Sequence, residues 1–402
     1  MSKTSVIARW QGLPLYVRIV IALVLGVMAG MMLGSHAAVL AVPGKLVLRL
    51  LGALAPALIL AAIVHTFMTT KLGGPLATRL PRLLVLNTLV AIMVGLTVAN
   101  IVQPGQGNGL TPPSVPIKSP EVANPLITFL ENVPKSLLGP LGDDGKVIGV
   151  IVIAMAFGIA LRKERDRPLG TVGDLVELLL VSLIKILHWV IALVPLAVFG
   201  VVASIVGMEG FAPFKALGVF VGSVLLALAI QAIYYLIRIR FGSWVRPADL
   251  IRGGRDALVM AFSTASSTAT MPVTYASLKE RVGLREQSAS MGALVGANFN
   301  NDGTALYEAM AALFIAQLIG VALSFQQQVV IVLTSIVASV GAAGIPEAGL
   351  VTMTLVFNAV ALPVEYIPVL LTVDWFLDRC RTAINVMGDM NVSCLLDGKQ
   401  RR

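Results

Sequence analysis

The sequence is short of charge and of cysteine. Only 13 % of its 402 residues are Asp, Glu, Lys or Arg, about half the usual share of roughly 25 %. Two cysteines, Cys380 and Cys394, support neither a disulfide framework nor a metal motif. The three histidines, His36, His65 and His188, lie far apart near the ends of apolar runs. They form no cluster for metal binding or proton transfer, so an intramembrane enzyme is not expected. What fills the chain instead is apolar: 57 % hydrophobic residues and a mean hydropathy of +0.89. A water-soluble protein cannot hide that much apolar surface. This excludes a soluble enzyme, a disordered scaffold and a nucleic-acid-binding protein. Strands of a membrane barrel alternate apolar and polar residues and need not raise average hydropathy. An all-α integral membrane protein remains.

A hydrocarbon core of about 30 Å takes about 20 helical residues to cross. Spans are expected near 15–35, 45–70, 82–102, 145–162, 172–206 and 213–238. The stretch 172–206 exceeds one upright span and suggests a tilted helix, and 103–145 reads as an external loop. The N-terminus is basic but shows no small-residue cleavage site after a short apolar core, and residues 19–44 carry no charged side chain, so a retained first span is expected. The formal net charge of +9 sorts by side. Lys3 and Arg9, then Lys71, Arg79 and Arg82, then Arg162, Lys163, Arg165 and Arg167, then Arg238 to Arg255 fall at alternate connections. The connections at 36–44 and 207–214 carry no Lys or Arg. The positive-inside rule then places both termini in the cytoplasm, with the chain a multi-pass protein of the cell inner (plasma) membrane.

Two later apolar runs are interrupted. AFSTASSTATMPVT (261–274) holds seven hydroxyl residues in fourteen and closes with Pro272; ASVGAAGIPEAG (338–349) contains Gly341, Gly344 and Pro346. Proline deletes a backbone donor and glycine costs about 1 kcal/mol against alanine. Broken backbone at membrane depth persists only where protein or a wet cavity surrounds it. The pair reads as two re-entrant hairpins around a central site, with ordinary kinked helices as the alternative. Between them, GANFNNDGTALYEA (296–309) places Asp302 and Glu308 in an apolar run. Its Asn-Asn-Asp-Gly turn predicts an unwound helix. Freed carbonyls and carboxamides are hard oxygen donors that suit cations such as Na⁺. A polar kink satisfied by neighbouring helices would explain the asparagines but not Asp302.

The last apolar segment, VDWFLDRCRTAINVMGDMN (373–391), carries a polar stripe. At about 100° per residue, Asp374, Asp378, Arg381, Thr382, Asn385 and Asp389 fall within an arc of about 100°. Arg379 lies just off it, near 140°. Facing lipid, each charge would cost about 2.5–3.5 kcal/mol at the bilayer centre, so the stripe must face protein or water. A guanidinium fork binds a carboxylate through paired hydrogen bonds, and the neighbouring aspartate suits an ammonium group. A small acidic or zwitterionic ligand fits that pair. An internal salt-bridge network that locks helices together is the alternative.

The segments NDGTALYEA (301–309), GAAGIP (341–346) and DWFLDRCRTAINVMGD (374–389) resemble the dicarboxylate/amino acid:cation symporter family, and the resemblance extends over nearly the whole chain. It implies eight transmembrane helices with two re-entrant hairpins, arranged as inverted repeats in an elevator-type homotrimer in the lipid bilayer. Residues 1–81 and 103–212 would form the scaffold, and 82–102 with 213–402 the transport domain. By position, the resemblance gives Arg381 the substrate's side-chain carboxylate and Asp378 its ammonium. Thr382, Asn385, Thr304 and Ser267 would complete the site, with Gly344, Ile345 and Gly349 in the lid. Of two to three Na⁺ sites, one would use Asp389 with carbonyls of Gly296, Asn300 and Asn385. A second would use backbone of Asn298, Ser339, Val340 and Ala342, and a third Asp302, Asn300, Thr88 and Asn87.

The chain also departs from the family pattern. Ala265 stands where archaeal members carry arginine, while Arg379 beside Asp378 follows the animal members, so a positive charge is relocated. Asn301 replaces the usual Met, Asn87 a Thr and Leu84 a Tyr, and Glu347 puts an acid at the lid tip. Glu308 matches the residue that carries a co-transported proton in animal members, which makes H⁺ a candidate coupling ion; K⁺ is a candidate counter-transported ion. The resulting expectation is a symporter of L-glutamate or L-aspartate, with no nucleic-acid partner. A C4-dicarboxylate carrier is disfavoured by Asp378 and a neutral amino acid carrier by Arg381; a ligand-gated anion channel and a membrane scaffold are the readings of other classes.

Overall fold

The structure, a computed structural model, describes residues 15–44, 76–106, 170–341 and 348–400, with isolated residues elsewhere. Among the described residues every element is helical. In chain order these are α1 (Leu15–Leu33), α2 (Leu76–Val102), α3 (Gly170–Ile191), α4 (Val194–Glu209), α5 (Ala212–Gly242), α6 (Pro247–Thr264), α7 (Ser267–Ala276) and α8 (Glu286–Ser290). Then follow α9 (Asp302–Leu318), α10 (Phe325–Gly341), α11 (Ala348–Ala359) and α12 (Ile367–Asp397). Among the described residues three stretches are long and apolar enough to cross a membrane: Val17–Gly44, Arg79–Val102 and Phe214–Gly242. The expected spans at 45–70 and 145–162, and the expected external loop beyond residue 106, lie outside the described residues.

The stretch 172–206 is not one tilted helix. It divides into α3 and α4 at Ala192 and Leu193. Pro195 sits in the first turn of α4, where its missing N–H costs nothing but a continuing helix would lose a hydrogen bond. α4 lies against α1 at very short range. A Cβ on Gly26 would come within 2.7 Å of the Phe199 carbonyl oxygen, and one on Gly30 within 2.6 Å of that of Ala203. Small residues allow this backbone approach, which drives helix association where lipid removes the hydrophobic force.

The first hairpin turns among the small residues ahead of Pro272. Ala265 adopts the left-handed conformation (φ 52°) and ends α6. Ser266 then caps α7, its Oγ accepting from the Ala269 N–H at 3.1 Å. Pro272 lies inside α7, which runs on through a π-helical turn, Ser277–Val282. The N-cap defines the turn because it satisfies a donor that the break exposes. In the second hairpin, α10 packs against α11; its tip, with Ala342, Gly344, Ile345, Pro346 and Glu347, lies outside the described residues.

α9 is the centre of the molecule. Every residue from Asp302 to Ala316 is buried, and α2, α5, α10, α11 and α12 all pack on it. Phe220 of α5 stacks on Phe314 at 4.4 Å and meets Tyr307 at 5.9 Å between centroids. A helix apolar on every face has to be surrounded in this way.

The end of α12 is tied to two connections. Asp397 accepts from Trp244 Nε1 at 2.7 Å, from Arg285 Nε at 2.9 Å and from the Arg285 backbone N–H at 3.2 Å. Its side chain is only 3 % exposed, so removing it takes a buried, charged acceptor away from Trp244 and Arg285. Asp397→Ala is expected to cost roughly 1–3 kcal/mol, read as a lowered thermal unfolding midpoint in detergent. An unchanged midpoint would mean that the clamp adds nothing.

Candidate functional site

The sequence predicts an unwound segment before Asp302, and the backbone there is irregular. A π-helical turn, Met291–Val295, passes into a 3₁₀ turn, Gly296–Asn298, and Asn301 (φ −112°, ψ 49°) precedes α9. The Gly296 carbonyl accepts from the N–H groups of Phe299 and Asn300 at 2.7 and 2.8 Å. This break faces the polar stripe of α12. Asp374, Asp378, Arg381, Thr382, Asn385 and Asp389 are all buried, so the stripe faces protein and not lipid.

Arg381 is fully buried. Its Nη2 donates to Asp378 Oδ1 at 2.7 Å and lies 3.1 Å from Asp374 Oδ1, and its guanidinium sits 4.0 Å from the Tyr307 ring centroid. Both acids belong to the same helix as the arginine, so the ion pairs do not staple one helix to another. That weighs against a purely structural network, as does the weak net stability of buried ion pairs in general. Arg381 Nε and Nη1 have no hydrogen-bond partner among the described residues, nor do Ser267 Oγ, Asn300 Oδ1, Tyr307 Oη and Glu308 Oε2. Buried donors and acceptors left so cost about 1–3 kcal/mol each. Their concentration here marks a place prepared for a polar guest.

Glycines bring the walls together. A Cβ on Gly349 of α11 would lie 3.1 Å from Arg381 Nη1 and 3.2 Å from Thr304 Cγ2, so this end of the second hairpin rests on the guanidinium. A Cβ on Gly303 would come within 2.7 Å of the Arg381 carbonyl oxygen. The Gly303 N–H donates to Asn385 Oδ1 at 2.8 Å, and Asn385 Nδ2 reaches Asn301 Oδ1 at 3.3 Å and Thr304 Oγ1 at 3.4 Å. Thr382 turns back to the Asp378 carbonyl at 2.8 Å. Ser267 begins α7, which packs on α12 and on the 3₁₀ turn.

The expected cation ligands fall into separate groups. Asn300 Nδ2 donates to Asp389 Oδ1 at 3.0 Å and to the Asn385 carbonyl at 3.1 Å, and a Cβ on Gly296 would be 3.5 Å from Asp389 Oδ1. These groups converge. Asn301 Nδ2 donates to the Ser339 carbonyl at 2.9 Å, which joins α10 to the break. Asn298 turns its amide back to the Leu294 carbonyl at 2.9 Å. Val340 lies in α10, and Ala342 is outside the described residues. Asp302 accepts from Thr88 Oγ1 at 2.6 Å on one oxygen and from the Tyr235 hydroxyl on the other. Asn87, beside Thr88, accepts from Arg238.

Glu308 is buried and accepts from the Thr352 hydroxyl of α11. Arg379 points elsewhere: it donates to the carbonyls of Phe262, at 2.9 Å, and Ser263. It thereby binds the C-terminal end of α6. Residues not singled out in the sequence also belong here: Tyr307, Thr352, and the Gln231–Tyr235–Arg238 edge of α5. On an otherwise apolar helix, polar groups at i, i+4 and i+7 share one face, and that spacing was the available signal. Tyr307 follows Thr304 by three residues and shares its face for the same reason.

The profile of the Sodium:dicarboxylate symporter family matches residues 15–399. The chain is 30 % identical to excitatory amino acid transporter 3 of Mus musculus over 92 % of its own length and 82 % of that protein. It is 40 % identical to excitatory amino acid transporter 3 of Oryctolagus cuniculus over 63 % of its length, and 37 % identical to excitatory amino acid transporter 4 of Mus musculus over 69 %. These two alignments span 48 % and 49 % of the relatives. With the match running from α1 through the end of α12, the chain belongs to the sodium:dicarboxylate symporter family.

Proposed function

We propose that the protein is a secondary active symporter that carries L-aspartate or L-glutamate across the membrane with sodium ions. The buried, half-partnered guanidinium of Arg381 carries this reading. Its Nε and Nη1, without partners among the described residues, match the fork that a carboxylate accepts. When the side-chain carboxylate of the substrate binds there, Asp378 is released from Nη2 and takes the ammonium. Thr304, Thr382, Asn385 and Ser267 supply the remaining polar contacts, and Gly349, with Gly344 and Ile345 of the hairpin tip, closes over the ligand.

Substrate and cation assist one another because neither buried charge is cheap alone. Sodium beside Asp389, with oxygens of Gly296, Asn300 and Asn385, offsets that carboxylate. A second ion uses backbone of Asn298, Ser339, Val340 and Ala342 and ties the break to the second hairpin. Glu308, held by Thr352 of that hairpin, is placed to carry a proton that leaves when the hairpin moves. The sharing of one site by α2, α5, α7 and α9 to α12 supports a mobile domain of 82–102 and 213–402. The close α1–α4 pair supports a scaffold of 1–81 and 103–212, arranged as a homotrimer along which that domain slides. Both termini are cytoplasmic in this reading.

Labelled aspartate and glutamate uptake into proteoliposomes tests it, under imposed Na⁺, H⁺ and K⁺ gradients. Accumulation above the external concentration, driven by inward sodium and lost when an ionophore collapses the gradient, is expected. Potassium inside the vesicles reports counter-transport. Equilibration without accumulation would indicate a channel, and absence of binding a scaffold.

A further inference from the structure

Asn301 stands where the family usually carries methionine, in the break before α9, and it is buried. A carboxamide has a donor on one arm and an acceptor on the other, and here each arm has a partner. The surroundings fix which arm is which. The Gly303 N–H can only donate, so the Asn385 atom that faces it at 2.8 Å is Oδ1. Asn385 Nδ2 therefore points to Asn301 Oδ1 at 3.3 Å and to Thr304 Oγ1 at 3.4 Å. With its oxygen so engaged, Asn301 gives Nδ2 to the Ser339 carbonyl at 2.9 Å. One line of hydrogen bonds thus runs from the start of α9, through the proposed substrate contact Asn385, to the second hairpin.

Ser339 lies in the last turn of α10, where carbonyls have no intrahelical donor and the helix dipole is negative. Such an oxygen suits a cation, and it is one of the backbone groups proposed for the second sodium ion. A sodium ion at that carbonyl would face the Asn301 N–H, positive against positive. Half a turn of the carboxamide about its Cβ–Cγ bond removes the conflict, because Oδ1 then turns to the ion as a hard oxygen ligand. Nδ2 turns at the same time toward Asn385 Nδ2. Two donors face to face are unfavourable unless an acceptor comes between them. A carboxylate oxygen of an amino acid bound at Asn385 is such an acceptor.

We propose that the side chain of Asn301 is a two-position switch whose oxygen joins the second sodium site when an amino acid occupies Asn385. The inference rests on the proposed sodium symport. Sodium favours the position with the oxygen toward Ser339, and the amino acid removes the penalty of reaching it. Each ligand biases the same element, so each strengthens the binding of the other by the same factor. A methionine has no donor arm and only a soft thioether, so this device belongs to the asparagine.

Sodium titrations of the purified full-length protein, with and without saturating aspartate, read the switch without transport. Asn301→Leu keeps neither arm. Its half-saturating sodium concentration with aspartate present is expected to rise about ten- to a hundredfold, the loss of one polar contact to a charged group. Asn301→Asp offers oxygen on both arms and needs no rotation. Its half-saturating sodium concentration without aspartate should fall about tenfold or more, and the further shift that aspartate produces should shrink. A purely structural role would not move the two variants in opposite directions. Wild-type titrations in either folded variant would overturn the inference. A structure of the wild type with sodium and aspartate bound decides it with no variant at all. Asn301 Oδ1 is expected about 2.3–2.6 Å from the ion beside Ser339, the oxygen range of calcium, a cation of similar size. An ion at the Ser339 carbonyl with Oδ1 still on Asn385 would overturn the switch. Aspartate binding that ignores sodium would overturn the symport reading itself, whereas sodium-dependent binding unaltered by either variant would remove the switch alone.

Discussion

Arg381→Ala is expected to abolish accumulation of aspartate and glutamate and to weaken their binding by about thirtyfold to several thousandfold. That range follows from roughly 2–5 kcal/mol for truncating one partner of a buried, hydrogen-bonded charge pair. The substitution does two things at once. It removes the fork to which a substrate carboxylate would bind, and it leaves Asp374 and Asp378, both buried, without the cation between them. Uncompensated buried charge destabilises by about 3–5 kcal/mol, so a fall in melting temperature should accompany the loss of binding. Arg381→Lys separates the two. An ammonium restores charge near Asp374 and Asp378 but presents no planar fork and stacks less well on Tyr307. Stability should recover further than affinity does. Asp378→Asn probes the other end of the ligand, since an ammonium should lose its partner while Arg381 keeps Asp374. Calorimetric titration with aspartate and unfolding in detergent, on the same preparations, give both quantities. If the alanine variant bound aspartate like the wild type, the assignment of the buried guanidinium to the substrate would be lost.

How far such a site is legible in a sequence depends on the range of the contacts that build it. The stripe on α12 depends on one helical period, and all six of its members lie buried as that period requires. The break before Asp302 depends on a four-residue turn signal, and the backbone is irregular there. Both are local properties. The turn of the first hairpin falls at Ala265, among the small residues ahead of Pro272, where Ser266 can cap the returning helix. The long apolar stretch 172–206 shows where a local cue misleads, because hydropathy does not register the helix start at Pro195. Contacts between distant helices left no trace of that kind. Arg238 reads as one more cytoplasmic cation in a basic cluster, and only the packing of α5 against α2 brings it to Asn87. Gly303 and Gly349 likewise look like ordinary small residues until the Arg381 backbone and guanidinium are found against them.

Gly388→Ala tests the cation side of the site and should be nearly as damaging as loss of the arginine. An added Cβ would overlap Asn300 Nδ2 and lie 2.9 Å from Tyr235 Oη and 3.2 Å from Asp302 Oδ2. None of these atoms can yield freely. Asn300 Nδ2 is bonded to Asp389 and to the Asn385 carbonyl, and Tyr235 is bonded to Asp302. Overpacking of this kind costs roughly 1–3 kcal/mol. Here the displacement falls on the amide that links the break of α9 to Asp389, so sodium binding should suffer before global stability does. The sodium concentration for half-maximal aspartate binding is expected to rise by about five- to more than a hundredfold, the same energy read as an affinity. Gly222→Ala on α5, where a Cβ would meet nothing within 4 Å, is the control. Alanine is the better helix former by about 1 kcal/mol, so that variant should bind sodium normally and be no less stable. If Gly388→Ala kept the wild-type sodium dependence, Asn300 would not be holding Asp389 for a cation. The convergence of those two side chains would then be packing alone.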